Sequence, residues 1–219
     1  MTPKPAITAT SEAAATASID AAAHALSLPT VRAEAGDLAD AAARDGARHR
    51  AFLAELLASE VDARAARRRE RRIREAQFPR HKTLADFDFT ANPAIPAGTI
   101  AALANGGWID RGEPVVLLGD SGTGKSHLLI ALGVAACDHG RRVRYRTAAA
   151  LVNELVEAAD DRHLSRTIAR YGRLDLLLLD ELGYLQLDTR GAELLFQVLT
   201  EREERASVAV ASNAPFSER

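Results

Sequence analysis

The stretch VVLLGDSGTGKSHLL, residues 115–129, joins an apolar run to a glycine-rich turn and then to a second apolar segment. Its centre has the pattern G-x-x-x-x-G-K-[ST], with Gly119, Gly124, Lys125 and Ser126 at the required positions. The glycines allow the backbone to curl so that successive N–H groups point inward around phosphate oxygens. The helix that follows adds the positive end of its dipole. The stretch therefore predicts a strand, a phosphate-binding loop and a helix.

The loop is a candidate nucleotide site. Lys125 is expected to reach the β- and γ-phosphates, and the hydroxyl of Ser126 is expected to bind Mg²⁺. A chance match in a glycine-rich turn is the alternative, but the motif requires a strand before it and a helix after it, and the sequence predicts both. The residues expected to contact the nucleotide are Gly119, Asp120, Ser121, Gly122, Thr123, Gly124, Lys125 and Ser126.

The same alternation of strand and helix continues to the end of the sequence. Short apolar runs suited to buried strands are separated by segments with helical periodicity. Such an alternation predicts an α/β fold with a parallel sheet covered on both faces. The predicted strands are 115–118, 143–146, 174–179 and 207–212, and the predicted helices between them are 125–139, 151–158 and 191–205.

The first third of the sequence has a different composition. Residues 1–10 look like a flexible tail, and the alanine-rich segment 11–46 predicts two helices separated at Pro29, with Thr30 as the cap of the second. A longer helix starts near Ala47 and ends before Pro79. Its apolar residues recur every three or four positions: Phe52, Leu53, Leu56, Leu57 and Val61. We therefore expect a helical domain over 11–77 and an α/β domain over 78–219.

The longer helix also carries a dense run of arginines. One interpretation is contact with DNA phosphates, for which Arg67, Arg68, Arg71 and Arg72 are the candidates. The other is a solvated helix face whose arginines pair with Glu70 and Glu75. Seven arginines against two glutamates favour DNA modestly; the seven are Arg64, Arg67, Arg68, Arg69, Arg71, Arg72 and Arg74.

Polar residues end two of the predicted strands. Asp180 and Glu181 follow the apolar run at 174–179, at the edge of a parallel sheet where ligands bind. A carboxylate there can hold Mg²⁺, and the next can orient or deprotonate an attacking water. Asn213 follows the fourth strand, where its amide can bond the water and the γ-phosphate, although asparagine is also common in turns. We predict a metal role for Asp180 and catalytic roles for Glu181 and Asn213.

Two aromatic residues precede the α/β domain proper. Phe87 and Phe89 lie in the linker after the arginine-rich helix, and two roles are open for them. They can flank an adenine ring, or they can supply ordinary packing between the helical domain and the core.

Composition limits the setting. The formal net charge is −2, so any basic surface must be local. A lone cysteine allows no disulfide within the chain, and the sequence has neither a signal-peptide pattern nor an apolar run of membrane-spanning length. These features predict a cytoplasmic protein with no membrane partner.

Several motifs together resemble the IstB-type transposase-helper ATPases, relatives of the DnaC-type helicase loaders in the AAA+ class. They are HKTLADFDF, GDSGTGKSHL, LDLLLLDELGYLQLDTRGAELLFQVL and SNAPFSE. The resemblance is close over 78–219 and looser over the N-terminal helices. Gly119 to Ser126 match the Walker A motif of that family, Asp180 and Glu181 match Walker B, and Asn213 matches the sensor asparagine.

The resemblance implies a protein that binds ATP and Mg²⁺, forms homo-oligomers on DNA with ATP, and stimulates a partner transposase in DNA transposition. A helicase loader in DNA replication is the alternative, since the loaders share these motifs. Family members continue past SNAPFSE through an arginine finger, a fifth strand and a helical lid, whereas the sequence here stops at Arg219. On that basis we expect an AAA+ core lacking its last strand and lid, with 115–118 as an edge strand and impaired ATP hydrolysis. A remnant that binds nucleotide without productive turnover is the competing expectation.

Overall fold

The computed structural model describes residues 11–184, 188–203 and 205–213. The chain forms two compact units that divide between Arg68 and Arg69, within one long helix. The domain boundary predicted at residue 78 remains a prediction. In the described part of the chain, no helix combines the length and apolar character needed to cross a bilayer.

The first unit contains helices α1 (Glu12–Ala25) and α2 (Pro29–Arg44) and the first part of α3 (His49–Ala76). A small core of Ala23, Val31, Ala35 and Leu56 holds it together. The two predicted helices over 11–46 are therefore present. The apolar stripe predicted on α3 is only partly covered, because Leu56 is buried whereas the side chains of Leu53, Leu57 and Val61 are exposed.

A buried carboxylate, rather than Thr30, completes the start of α2. The N-cap position is Leu28, which has no side-chain cap, so the prediction of a Thr30 cap is wrong. Instead Glu60 of α3, only 3% exposed, accepts hydrogen bonds from the backbone N–H groups of Thr30 at 2.8 Å and Val31 at 3.2 Å. Burial raises the pKa of Glu60, but these N–H groups and the charge of Arg67 outweigh it and hold the pKa below its usual value.

The second unit is built on a parallel sheet. Its strands are β1 (Val115–Leu118), β2 (Val143–Thr147), β3 (Leu176–Asp180) and β4 (Ser207–Ser212). They lie in the order β1-β4-β3-β2, and each neighbouring pair is parallel. Among the described residues β1 pairs only with β4, so it is an edge strand as expected, with Val116 and Leu118 exposed.

Helices cover the two faces of this sheet. On one face α6 (Lys125–Asp138) packs with Trp108, Tyr145 and Leu178 into a single apolar cluster. On the other face lie α7 (Ala148–Asp160), α8 (Leu164–Gly172) and α9 (Thr189–Arg202), through residues such as Leu155, Tyr171 and Val198. All five residues of β3 are buried, as expected of a central strand covered on both faces. The α/β prediction is thus confirmed.

The remaining elements are short. Helices α4 (Ala97–Ala104) and α5 (Gly107–Asp110) precede β1, and a 3₁₀ turn (Leu182–Tyr184) follows β3. Helix α8 is absent from the sequence prediction. Helix α3 ends at Ala76, one residue before Gln77 takes a left-handed conformation with a φ of 58°, and therefore ahead of Pro79.

Candidate nucleotide site

The loop between β1 and α6 has the shape that its sequence predicts. Gly122 and Gly124 have φ values of 80° and 90°, in the left-handed region that favours glycine. Within the loop, the hydroxyl of Thr123 and the Nζ of Lys125 donate hydrogen bonds to the carbonyl oxygen of Asp120, at 2.8 and 2.6 Å. The first turn of α6 starts at Lys125 and directs its free N–H groups toward the loop, which suits the binding of an anion.

An aromatic contact fixes one end of this loop. A Cβ atom added to Gly124 would lie 2.7 Å from Cε2 of Phe87, so only glycine fits beneath the ring. The ring of Phe87 also meets His127 edge-on, with centroids 5.1 Å apart, and Nε2 of His127 lies 2.9 Å from the carbonyl oxygen of Thr83. The segment around Phe87 is thereby packed onto the loop and the start of α6, while its contact with an adenine ring stays a prediction.

Asp180 ends β3 in a buried and well-bonded position. Asp180 is only 4% exposed, and its Oδ2 accepts a hydrogen bond of 2.8 Å from the hydroxyl of Tyr145 on β2. Its Oδ1 accepts a bond of 2.9 Å from the backbone N–H of Glu181. Burial and the hydrogen bond to Asp180 raise the pKa of Tyr145, so its hydroxyl stays protonated and donates. Glu181 itself is exposed and has a left-handed φ of 62°.

The order of the strands brings these separate segments together. Strand β4 lies between β1 and β3, so the residues after these three strands meet at one edge of the sheet. They line a cavity of about 430 Å³, which is in the usual size range of small-molecule sites. Of the predicted residues, those lining it are Ser121, Gly122, Gly124, Lys125, Ser126, Asp180, Glu181 and Asn213. Gly119, Asp120 and Thr123 belong to the loop but do not line the cavity.

Asn213 contributes an acceptor to this cavity. Its Oδ1 atom is buried and has no hydrogen-bond partner among residues 11–184, 188–203 and 205–213. A buried polar atom without a partner costs free energy, so its place in a ligand cavity favours a ligand that donates to it. A bound water positioned for attack is such a donor.

The side chains also fit a magnesium nucleotide. Over the described ranges, no group of three or more His, Cys, Asp or Glu side chains is placed to hold a metal ion alone. Mg²⁺ is commonly held by one or two carboxylates together with phosphates and water, without a complete protein cage. Asp180 and the hydroxyl of Ser126 are groups in this cavity that can complete such a set.

The arginine-rich part of α3 is largely engaged with acidic groups of the same chain. In the first unit, the guanidinium of Arg67 lies 3.0 Å from Glu60 and donates to the hydroxyl of Thr30, while Arg64 donates to the carbonyl oxygen of Ser27. Arg68 is exposed and has no ion pair in the part of the chain that the structure describes. Of these three arginines, Arg68 is the one without an ion pair among the described residues.

The second unit holds the rest of the run. Arg69 forms an ion pair of 2.5 Å with Asp138. Arg71 forms a longer one of 3.6 Å with Glu75, and the side chains of Arg71 and Glu75 are 65% and 62% exposed. Arg72 has no ion pair among the described residues. The structure thus pairs several arginines with carboxylates, and contact with DNA stays a prediction for Arg67, Arg68, Arg71 and Arg72.

Two functional candidates were missed by sequence reasoning. Tyr145 lies inside a strand whose alternation VRYRT marks it as inward-facing, but its partner Asp180 is known only once β2 and β3 are paired in register. His127 follows the loop motif directly and lines the cavity, so its position alone was an available signal.

Comparison with known proteins finds similarity to ATP-binding proteins of insertion sequences. A family model described as IstB-like ATP binding protein matches residues 21–219. The insertion sequence IS21 putative ATP-binding protein of Pseudomonas aeruginosa is 38% identical over 181 residues, 83% of this chain and 68% of the relative. A putative insertion sequence ATP-binding protein of Sinorhizobium fredii is 37% identical over 88% of this chain. The chain spans 65% of that relative's length.

Solved structures add evidence on the fold. AMPPCP-bound DnaA from Aquifex aeolicus matches with a TM-score of 0.54 and 27% identity, over 63% of this chain and 43% of that one. The DnaC helicase loader matches with a TM-score of 0.51 over 68% of this chain and 82% of that one. At 20% identity, the second likeness concerns the fold alone.

Proposed function

Because the chain belongs to the family of IstB-like ATP-binding proteins, we propose that it binds ATP with Mg²⁺, hydrolyses it, and acts on DNA as a helper in insertion-sequence transposition. The observation that carries the proposal is the meeting of three distant segments at one cavity. The phosphate loop, the acidic end of β3 and Asn213 after β4 all line it.

Each group has a distinct chemical task in this proposal. Lys125 and the N–H groups of the loop neutralise and orient the phosphates. Asp180 and the Ser126 hydroxyl hold Mg²⁺, which supplies charge neutralisation across the phosphates. Glu181, exposed at the cavity wall, accepts a proton from the attacking water, and Asn213 fixes that water by hydrogen bonding.

Membership of the family also supports a wider role. The curated relatives are named as ATP-binding proteins of insertion sequences, so we extend the proposal to a partner transposase, homo-oligomers assembled on DNA with ATP, and a cytoplasmic location. The proposed DNA contacts are Arg67, Arg68, Arg71 and Arg72 of α3. Because the likeness to the DnaC loader concerns the fold alone, it gives no specific support to helicase loading.

Replacing Glu181 tests the proposed chemistry. Glu181→Gln keeps the size and hydrogen bonding of the side chain but removes the base, so ATP affinity should stay near that of the parent while turnover falls about 100-fold. Both are measured with a fluorescent ATP analogue and a phosphate-release assay, each with and without duplex DNA. Asp188→Asn is a suitable control, since Asp188 is also exposed but serves as the N-cap of α9.

The outcomes separate the parts of the proposal. A parent protein that fails to bind ATP with Mg²⁺ contradicts the nucleotide site. Binding without any turnover, with or without DNA, contradicts hydrolysis alone. Turnover of Glu181→Gln at the parent rate removes Glu181 from the chemistry.

A further inference from the structure

A buried tyrosine on the neighbouring strand holds the carboxylate of Asp180. Tyr145 is 8% exposed, and its ring belongs to the apolar cluster beneath α6. In the parallel pairing of β2 with β3, Tyr145 lies opposite Leu178, and Asp180 lies opposite Thr147. The tyrosine side chain is long enough to reach along the sheet by two residues, and its hydroxyl meets Oδ2 of Asp180 at 2.8 Å.

Both oxygens of the carboxylate are therefore bonded from fixed directions. The hydroxyl of Tyr145 bonds Oδ2, and the backbone N–H of Glu181 bonds Oδ1. Each carboxylate oxygen has a second lone pair, so these bonds leave an acceptor position on each oxygen. Because each oxygen accepts its own bond, rotation of the carboxylate plane is restricted. A carboxylate bonded at one oxygen only would keep that rotational freedom.

The position of the Tyr145 hydroxyl is explained by the carboxylate that it meets. Within the described residues, the bond to Asp180 is the one that the Tyr145 hydroxyl makes. Phenylalanine would fill the same apolar space without burying a polar atom, and a buried hydroxyl costs free energy unless it is bonded. The presence of the hydroxyl is therefore explained by its bond to the carboxylate and not by packing.

We propose that Tyr145 is a positioning residue for Mg²⁺, acting by fixing the carboxylate of Asp180 in the orientation that receives the metal. The inference rests on the proposed function, because it requires Mg²⁺ and nucleotide at this cavity. Groups that orient metal ligands in this way typically change metal affinity by about 10–100-fold when they are removed.

The test compares Tyr145→Phe with a matched control in the same unit. Tyr171 is also buried, and its hydroxyl donates to a carboxylate, that of Glu154, at 2.7 Å. Tyr171→Phe therefore removes an equivalent bond from a residue that does not line the cavity. Binding of a fluorescent ATP analogue is followed as MgCl₂ is titrated, and again in EDTA. Thermal melts in EDTA show whether each variant is folded.

In Tyr145→Phe, the Mg²⁺ concentration for half-maximal binding should rise about tenfold. Its affinity in EDTA and its melting temperature should stay close to those of the parent. Tyr171→Phe should keep the parent's Mg²⁺ dependence. The inference is overturned if Tyr145→Phe needs no more Mg²⁺ than the parent, or if it loses affinity equally in EDTA.

A third variant separates this inference from the function on which it rests. In Asp180→Asn, binding of the ATP analogue should lose most of its dependence on Mg²⁺. This loss is the upper limit for the effect of Tyr145→Phe, because Tyr145 acts through Asp180. A parent protein without Mg²⁺-dependent binding, or an Asp180→Asn variant that keeps it, contradicts the proposed site. A normal parent and a defective Asp180→Asn, with an unaffected Tyr145→Phe, contradict the role of Tyr145 alone.

Discussion

The phosphate loop and the arginine-rich part of α3 are both candidates for binding phosphate on the evidence of the sequence, yet their side chains have different neighbours in the structure. The loop contains one lysine and meets an acidic strand end and an asparagine from elsewhere in the chain. The arginine-rich part of α3 contains seven arginines, several of which already bond carboxylates of the same chain, including Glu60 and Asp138. A site is thus better indicated by the convergence of distant segments than by the density of charge.

The largest expected effect removes the one cation that the loop motif supplies. Lys125→Ala should weaken ATP binding about 100-fold, because its ammonium makes charge-assisted hydrogen bonds to the phosphates. Isothermal titration with ATP and Mg²⁺ measures the loss. Arg173→Ala, which removes an exposed positive charge at the end of α8, is the matched control and should bind normally. Equal affinity in the two variants would rule out the loop as the phosphate site.

A smaller effect is expected at the arginines of α3 that have no ion pair among the described residues, or only the longer one to Glu75. Replacing Arg68, Arg71 and Arg72 with alanine should weaken DNA binding about tenfold and reduce the slope of its salt dependence by about one per lost contact. Base preference should change little, because phosphates carry no sequence information directly. Fluorescence anisotropy with labelled duplexes at several salt concentrations measures this.

The adjacent residue Arg67 serves as the comparison. Since it pairs with Glu60, Arg67→Ala should lower thermal stability and alter DNA binding less than Arg68→Ala, which removes a side chain without an ion pair among the described residues. If the triple variant binds DNA as the parent does, the run is a solvated helix face. If Arg67→Ala has the larger effect on DNA, the distinction drawn from the ion pairs is wrong.

The smallest effect concerns Glu60, whose carboxylate bonds the first N–H groups of α2. Its pKa is lower folded than unfolded, so its contribution to stability is present above the unfolded value of about 4.5. That contribution is lost as the pH falls from there through the folded pKa. Glu60→Gln should therefore melt a few degrees lower than the parent at pH 7, and the difference should shrink below pH 4.5. Melts followed by circular dichroism test this.

Glu55→Gln provides the control for that experiment, since Glu55 is exposed on the same helix. It should melt like the parent throughout the pH range. A gap between the parent and Glu60→Gln that stays constant down to pH 3 would show that the carboxylate's charge does not stabilise α2.

Much of the fold could be predicted because apolar runs and short motifs in the sequence mark most of its helices and strands. The apolar run at 174–179 and the loop motif locate β3 and β1 within two residues of their observed bounds. Helix α8 was missed because it has only nine residues and polar residues separate the apolar ones in its sequence, LSRTIARYG. Leu164, Ile168 and Tyr171 recur at intervals of four and three, so a signal was present but weak.

The candidate site was predictable only in part. Gly124, Lys125 and Asp180 follow from motif and strand position, whereas the bond from Tyr145 to Asp180 depends on the pairing register of β2 and β3. The cap of α2 has the same difficulty, because Glu60 is distant from Thr30 in the sequence and meets it only after α2 and α3 pack. Contacts of this kind are set by tertiary structure, which single-sequence patterns do not contain.

The strand order also constrains how the molecule can assemble during its synthesis. Strand β1 is the first of the four to leave the ribosome, but the strand that pairs with it, β4, is the last. Non-local pairings of this kind form slowly, because the intervening chain must first be brought together. The phosphate loop, which begins at the end of β1, therefore gains its supporting neighbour only after β2 and β3 have been made. Until then the apolar strand has no pairing partner in the sheet, and the nascent chain is at its most prone to aggregate.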